Sequence, residues 1–342
     1  MKNINDAANN QFFWNTARDY LNHYLTDIRK SSGNTVASYR HALNYFIDYL
    51  EKEKHYDRKS ITFQTFCRLN IKDYMDWMLN EKKLAPKTCN LRLTAVHSLM
   101  EYASQESLEI MSYYTEACTV KAVKTQKKPI EYLTNTEMSA LLSAPDTGKA
   151  SERRNQMMLI LLYDTATKVS EMLDLKVRDL HLNSKPTYVT VCGKGRKYRN
   201  IPLMEKCQKH LERYLQEFHT QMSPNEFLFY ATTYGNRHPL SPDTVEKMLK
   251  RYATKCQEQG IEIPSNVHCH MVRKTRAMDL YQQGIPLPHI QQLLGHENIS
   301  TTSGFYAFAT LDTLSKSLEL ANKSQVEKKW HNDDVMSILY RL

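Results

Sequence analysis

The chain holds 342 residues, 41% of them hydrophobic and 24% charged, with only 9 Gly and 11 Pro. That composition fits a folded, helix-leaning protein and excludes a disordered or collagen-like one. Lys and Arg number 46 against 37 Asp and Glu, a formal charge of +9 that suits a phosphate-backbone partner, and the length calls for two domains.

The N-terminus, "MKNINDAANNQFFWN", lacks an apolar signal core, and no apolar run approaches the roughly 20 residues of a membrane span. From Phe12 to about Ser107 the pattern is that of amphipathic helices without strand signals. In "TVASYRHALNYFIDYLEKE", Tyr39, Leu43, Phe46, Ile47 and Leu50 recur at three- and four-residue steps and share one face. "IKDYMDWMLNE" and "TCNLRLTAVHSLMEYAS" repeat that pattern, the second close behind Pro86. Arg40, Lys82, Lys83, Lys87 and Arg92 are distributed over this helical region as candidate DNA contacts.

Periodicity lapses between about Ala117 and Pro129, where "KAVKTQKKP" places Lys121, Lys124, Lys127 and Lys128 before a proline: a charged connector, read either as a solvated linker or as a strap on DNA. "LTNTEMSALL" opens a new helix, with Thr134 and Glu137 spaced as a capping box. "NQMMLILLYDTA" and "VSEMLDLKVRDL" read as helices. "TYVTVCGKGRKYRNIPL" has the β-branched residues and central glycines, Gly193 and Gly195, of a hairpin. From "MEKCQKHLERYLQEF" onward the pattern is helical again, with a loop around Gly235 to Pro242. The seven cysteines show no C-x-x-C and no regular spacing, as expected of free thiols in a reducing cytosol. A cytoplasmic protein without membrane contact follows.

Two late segments carry chemistry. "HCHMVRKTRAMDL" sets His270 and Arg273 three apart, on one side of a helix, and "LLGHENISTTSGFY" offers His296 and then Tyr306. Singly, each has an ordinary reading as a surface or core residue, above all Tyr306 in a chain with 21 tyrosines. His268, Cys269 and His270 alternate, but no second ligand pair stands at metal-binding spacing, so no metal is expected.

Together these segments resemble the tyrosine recombinase (phage integrase-like) family. "HMVRKTRAMDLYQQGIPLPHIQQLLGHENISTT" is similar to its H-x-x-R helix and its L-L-G-H-x-x-I/L-x-T-T block. "GKGRKYRNIPL" is similar to its hairpin, G-K-G-x-K-x-R-x-x-P-L, and "ATKVSEMLDLKVRDL" to its T-G-x-R-x-S-E helix. The resemblance covers nearly the whole chain and implies a mainly α protein. A helical, SAM-like core-binding domain would occupy residues 1–118, a basic linker 119–130, an α+β catalytic domain with a small β-hairpin sheet 131–326, and a tail helix docking on a neighbouring subunit 327–342; the residues alone also allow that tail helix to fold back on its own core. The whole would form a C-shaped clamp on DNA. This matches the two-domain members without an arm-binding module, since only about eleven residues precede the first expected helix.

Cleaving a phosphodiester without a metal requires a nucleophile, charge neutralisation on the phosphorane and a proton for the leaving 5′ oxygen. The resemblance assigns attack to Tyr306, with formation of a 3′-phosphotyrosyl bond. It assigns the grip on the non-bridging oxygens to Arg273, proton transfer at the tyrosine to His270 and a hydrogen bond to the phosphate to His296. Lys194 would be the general acid and Glu171 the orienting carboxylate. Arg196, Lys197 and Arg199 of the hairpin join the candidate DNA contacts. No cofactor is implied. The partners would be double-stranded DNA recombination sites, bound by a homodimer on one site and a homotetramer in synapsis.

Two departures stand out. The family sets its tyrosine nine residues after the second histidine, where this chain has Phe305, with Tyr306 at ten; Gly304 offers the freedom for one extra residue. The family's first catalytic arginine falls on Lys168, which keeps the charge but loses the bidentate fork. Site-specific recombination is therefore expected, by integration, excision or transposition of a mobile element, with cleavage impaired by Lys168. Alternatives are a multimer-resolving chromosome or plasmid recombinase, type IB topoisomerase-like relaxation, and an inactive DNA-binding regulator.

Overall fold

The computed structural model describes residues 4–125, 131–221 and 223–295, with backbone alone at 4–7 and at Lys194. The chain divides into two compact units, 1–128 and 129–342.

The described part of the first unit is all helical. Helix α1 (Ile4–Asp19) begins eight residues before the expected Phe12 and runs on into a wider turn over Tyr20–Ile28. Helix α2 (Gly33–Lys52) is capped by Ser32, whose Oγ accepts from the Thr35 N–H at 3.3 Å. It buries Leu43, Phe46, Ile47 and Leu50, as its periodicity predicts, while Tyr39 packs at the margin of the core. Helices α3 (Arg68–Asp76), α4 (Pro86–Glu106) and α5 (Met111–Ala117) complete the bundle, with Pro86 in the first turn of α4, where its missing N–H costs nothing. Its centre is aromatic: Phe46 lies 4.8 Å from both Phe66 and Tyr74, ring centre to ring centre.

In the second unit, α6 (Asn135–Ser143) starts with the expected capping box of Thr134 and Glu137. Helix α7 (Ala150–Thr165) is polar in its first half and apolar in its second, where it enters the core and buries Met157, Met158, Leu159, Leu161 and Leu162. The helix expected over 169–180 is cut short: α8 spans only Val169–Leu173, followed by a tight turn at Val177–Asp179 and strand β1 (Leu180–His181). Tertiary pairing overrides the helical pattern there, because the Val177 N–H donates to Glu226 O at 3.0 Å and Leu175 O accepts from the Leu228 N–H at 2.8 Å. Strands β2 (Tyr188–Cys192) and β3 (Tyr198–Pro202) form the expected hairpin, and β1 adds a third antiparallel strand beside β2. Val189, Val191 and Ile201 point from it into the core.

Helix α9 (Glu205–Phe218) follows. A second hairpin, β4 (Tyr230–Thr233) and β5 (Asn236–Pro239), stands in part where the sequence reads as a loop. Its two central residues, Tyr234 and Gly235, both have positive φ (47° and 79°), the backbone of a tight two-residue turn. All of β5 is exposed, so it carries no apolar alternation to betray it. Helices α10 (Pro242–Glu258), α11 (Cys269–Gln282) and α12 (Leu287–Leu294) close the described fold. Among the described residues no helix is long and apolar enough to cross a membrane, and all seven cysteines are free.

Candidate active site

Three separated stretches meet where α7 gives way to α8. Helix α7 stops at Ala166, whose φ of 48° and ψ of 30° put a Cβ-bearing residue in the left-handed region, a conformation that costs on the order of 1 kcal/mol. Two residues on, Lys168 caps α8 with extended backbone (ψ 148°), and its N–H donates to Glu171 Oε2 at 3.0 Å. A carboxylate three residues into a helix is well placed for that bond. Lys168 Nζ reaches to 3.8 Å from Glu171 Oε1, with the side chain 46% exposed.

Arg273 enters from α11 and is almost fully buried, at 2% exposure. Its Nη1 donates to Ala166 O at 2.8 Å and its Nη2 to Leu294 O at 2.6 Å, and Nη1 lies 3.9 Å from Glu171 Oε2. The guanidinium plane is thereby fixed by two carbonyls 128 residues apart in sequence (294 − 166). Arg199, from β3, places Nη2 at 2.7 Å from Glu171 Oε2 and Nη1 at 3.3 Å from Oε1, while Nε donates to Leu293 O at 3.0 Å. Burial pushes the Glu171 carboxyl upward, but the hydrogen bonds from Arg199 and from the Lys168 N–H, with the charges of Arg199 and Arg273, hold it on balance below its ordinary value. Its stabilising share is therefore present at neutral pH and is lost only as pH falls through that lowered value.

The structure thus brings Lys168, Glu171, Arg199 and Arg273 together. His270 stands one turn before Arg273 on α11, exposed, with its ring 6.5 Å from that of His268. The α11 N-terminus is tied down by Glu246 of α10, whose carboxylate accepts from the Cys269 N–H at 3.1 and 3.2 Å. No local pattern marks Glu246, because the residue it serves is 23 positions away (269 − 246). The backbone of Lys194 lies in the β2–β3 turn, directly after Gly193. His296 and Tyr306 lie outside the described residues, as do Lys127, Lys128 and the tail 327–342. Among the described residues no group of three metal-ligating side chains occurs.

Of the candidate DNA contacts on the first unit, Arg40, Lys82, Lys83, Lys87, Lys121 and Lys124 are exposed. Arg40 donates to Asn22 Oδ1 at 2.8 Å, and Lys82 Nζ sits 4.8 Å from the centre of the Trp77 ring. Arg92 is half-buried, its guanidinium 3.5 Å from the centre of the Tyr45 ring, an arrangement that leaves the cation fixed on an aromatic face. On the second unit, Arg196 and Lys197 are exposed on the hairpin turn, whereas Arg199 is turned inward at 13% exposure.

Gly295 ends α12 with φ 65°, and a Cβ there would lie 3.1 Å from the Arg199 guanidinium carbon. Replacing Gly295 by Ala is therefore expected to destabilise the fold by about 1 kcal/mol or more, lowering the melting midpoint by about 2–4 °C. An unchanged midpoint in a thermal melt would show that this backbone is not held as described.

Two family models match the chain: the phage integrase family over residues 131–310, and the phage integrase N-terminal SAM-like domain over residues 18–107. A tyrosine recombinase XerD of Listeria monocytogenes is 31% identical over 290 residues, covering 83% of this chain and 91% of that protein. A tyrosine recombinase of Pseudothermotoga lettingae is 29% identical over 282 residues, covering 82% and 89%. Among solved structures, the integrase of the transposon Tn1549, in complex with circular intermediate DNA, superposes with a TM-score of 0.67 at 20% identity over 90% of this chain and 98% of that one; at that identity the likeness concerns the fold. The chain therefore belongs to the phage integrase family and is a tyrosine recombinase, an enzyme of site-specific DNA recombination.

Proposed function

We propose that this recombinase opens DNA strands through a 3′-phosphotyrosine intermediate made by Tyr306, in the service of integration, excision or transposition of a mobile element. The observation that carries the reading is the convergence of Lys168 and Arg273 on the buried carboxylate of Glu171 from segments more than a hundred residues apart. Three cations, Lys168, Arg199 and Arg273, held beside one carboxylate leave an excess of positive charge that suits a second anion, the scissile phosphate, whose charge rises in the transition state.

In this reading Tyr306 Oη attacks phosphorus while His270 assists loss of its proton. Arg273, His296 and the Lys168 ammonium take up charge on the non-bridging oxygens. The P–O5′ bond breaks, and the leaving 5′ oxygen takes a proton from Lys194. A 5′ hydroxyl from a second strand then attacks the phosphotyrosine and frees the enzyme, so no cofactor is consumed. Double-stranded DNA is the substrate. Arg40, Lys82, Lys83, Lys87, Arg92, Lys121, Lys124, Lys127, Lys128, Arg196 and Lys197 are proposed to contact its backbone, and the site is proposed to bind a homodimer and synapse as a homotetramer, linked by the tail 327–342. The free thiols support action in a reducing cytoplasm.

The test is to trap a covalent protein–DNA adduct from a library of nicked duplexes, using the Lys168→Arg variant, and to sequence both the DNA and the modified peptide. A single recurring DNA sequence joined to Tyr306 is expected. An adduct on another tyrosine removes Tyr306 from its role, and adducts spread over unrelated sequences, with relaxation of any plasmid, favour topoisomerase-like action.

A further inference from the structure

We propose that Arg199 is a positioning residue of strand cleavage, tying the hairpin that carries Lys194 to Glu171 and to the end of α12, and not a contact to DNA. Its three donor nitrogens are all engaged within the protein: Nη2 and Nη1 grip the two oxygens of Glu171, and Nε holds Leu293 O. At 13% exposure the group faces inward, while its neighbours Arg196 and Lys197 on the turn face solvent.

From Arg199 the path to Lys194 along the hairpin is short. Arg199 pairs with Val191 and Tyr198 with Cys192 across the hairpin, and the Gly193 N–H donates to Lys197 O at 2.8 Å. The turn backbone also lies close beside the ion pair: a Cβ on Gly193 would come within 3.3 Å of Arg199 Nη1, a tight contact, and 3.6 Å of Glu171 Oε1. At the other end, Arg199 and Arg273 hold the successive carbonyls of Leu293 and Leu294, three and two residues before His296 in the sequence. One guanidinium therefore joins two segments that each bear a residue of the proposed chemistry, Lys168 beside Glu171 and Lys194, to the end of α12. Only a planar fork can bridge a carboxylate and a carbonyl in this way, since an ammonium is a point donor.

The inference rests on Lys194 as the proton donor, so the test separates the two. Single-turnover cleavage is measured on the duplex recovered by adduct trapping, in the natural chain and in its Lys168→Arg variant. Each background is combined with Arg199→Gln, Arg199→Lys and Lys194→Ala. Two substrates are compared: the ordinary phosphodiester, and one with sulfur replacing the bridging 5′ oxygen, whose thiolate leaves without a proton. Arg199→Gln is expected to slow ordinary cleavage by about 10²-fold, the scale of losing general-acid help, and to recover on the sulfur substrate as Lys194→Ala does. Arg199→Lys, which keeps the charge and guards against a folding defect, should show a smaller loss and the same recovery. DNA affinity and its salt dependence should be unaltered, because a lost phosphate contact would lower the salt slope by about 1. Recovery of Lys194→Ala without recovery of either Arg199 variant overturns the positioning role and spares Lys194 as the acid. Recovery of neither removes Lys194 from its role and this inference with it, and a reduced salt slope returns Arg199 to the DNA contacts.

Discussion

The substitution Lys168→Arg is expected to raise the rate of strand cleavage by about 10²- to 10³-fold, the range measured when one preorganised donor to transition-state charge is restored or removed. The location supports a gain of that size. Lys168 caps α8 with its side chain partly exposed, its backbone anchored on Glu171 and its ammonium 3.8 Å from the same carboxylate. An ammonium so placed attracts a phosphate, but it donates from a single centre and is shared with Glu171. A guanidinium at the same cap can keep a donor on Glu171 and turn a parallel pair toward two phosphate oxygens. Affinity for the recombination site should change far less than the rate, because the charge is the same before and after. Equal cleavage of a trapped site by the natural chain and the Lys168→Arg variant would show that this position takes no part in the chemistry.

The second large effect is expected at Arg273. Arg273→Lys, made in the Lys168→Arg background so that a loss can be measured, should cut cleavage by about 10²- to 10³-fold. It should also lower the melting midpoint. The guanidinium is buried, bonded to Ala166 O and Leu294 O, and beside Glu171. Removing the fork leaves at least one of those carbonyls without its donor, a cost of about 1–3 kcal/mol for a buried acceptor. The two readouts separate the roles: a variant that melts lower yet cleaves normally would make Arg273 a structural brace only.

The motifs that identify this enzyme were legible in the sequence because each is local. The H-x-x-R pattern belongs to one helix, the capping box of Thr134 and Glu137 to one helical turn, and the first hairpin to a β-branched run interrupted by glycines. Periodicity likewise marked the buried face of α2, since every residue of that face is set by the 3.6-residue turn alone. Where the outcome depended on a distant partner, local pattern misled. Residues 175–178 carry a helical pattern, yet their backbone pairs with residues 224–228, and β5 escapes notice because nothing apolar distinguishes its two faces.

The site divides in the same way. Sequence alone determined which residue types are present, including the lysine at 168 where the resemblance leads one to expect arginine, because motif spacing is a property of the chain. Only the tertiary structure decided what those charges do to one another. Arg199 and Lys197 are two residues apart on one arm of the hairpin, and nothing local says that the first is buried against Glu171 while the second meets solvent. That choice follows from the packing of β3 and α11 against α8 and the end of α12, which brings a carboxylate, two guanidinium groups and three backbone carbonyls within hydrogen-bond or ion-pair range. A buried charge must find its partners wherever the fold supplies them, and here they come from residues 94 and 28 positions away (293 − 199 and 199 − 171).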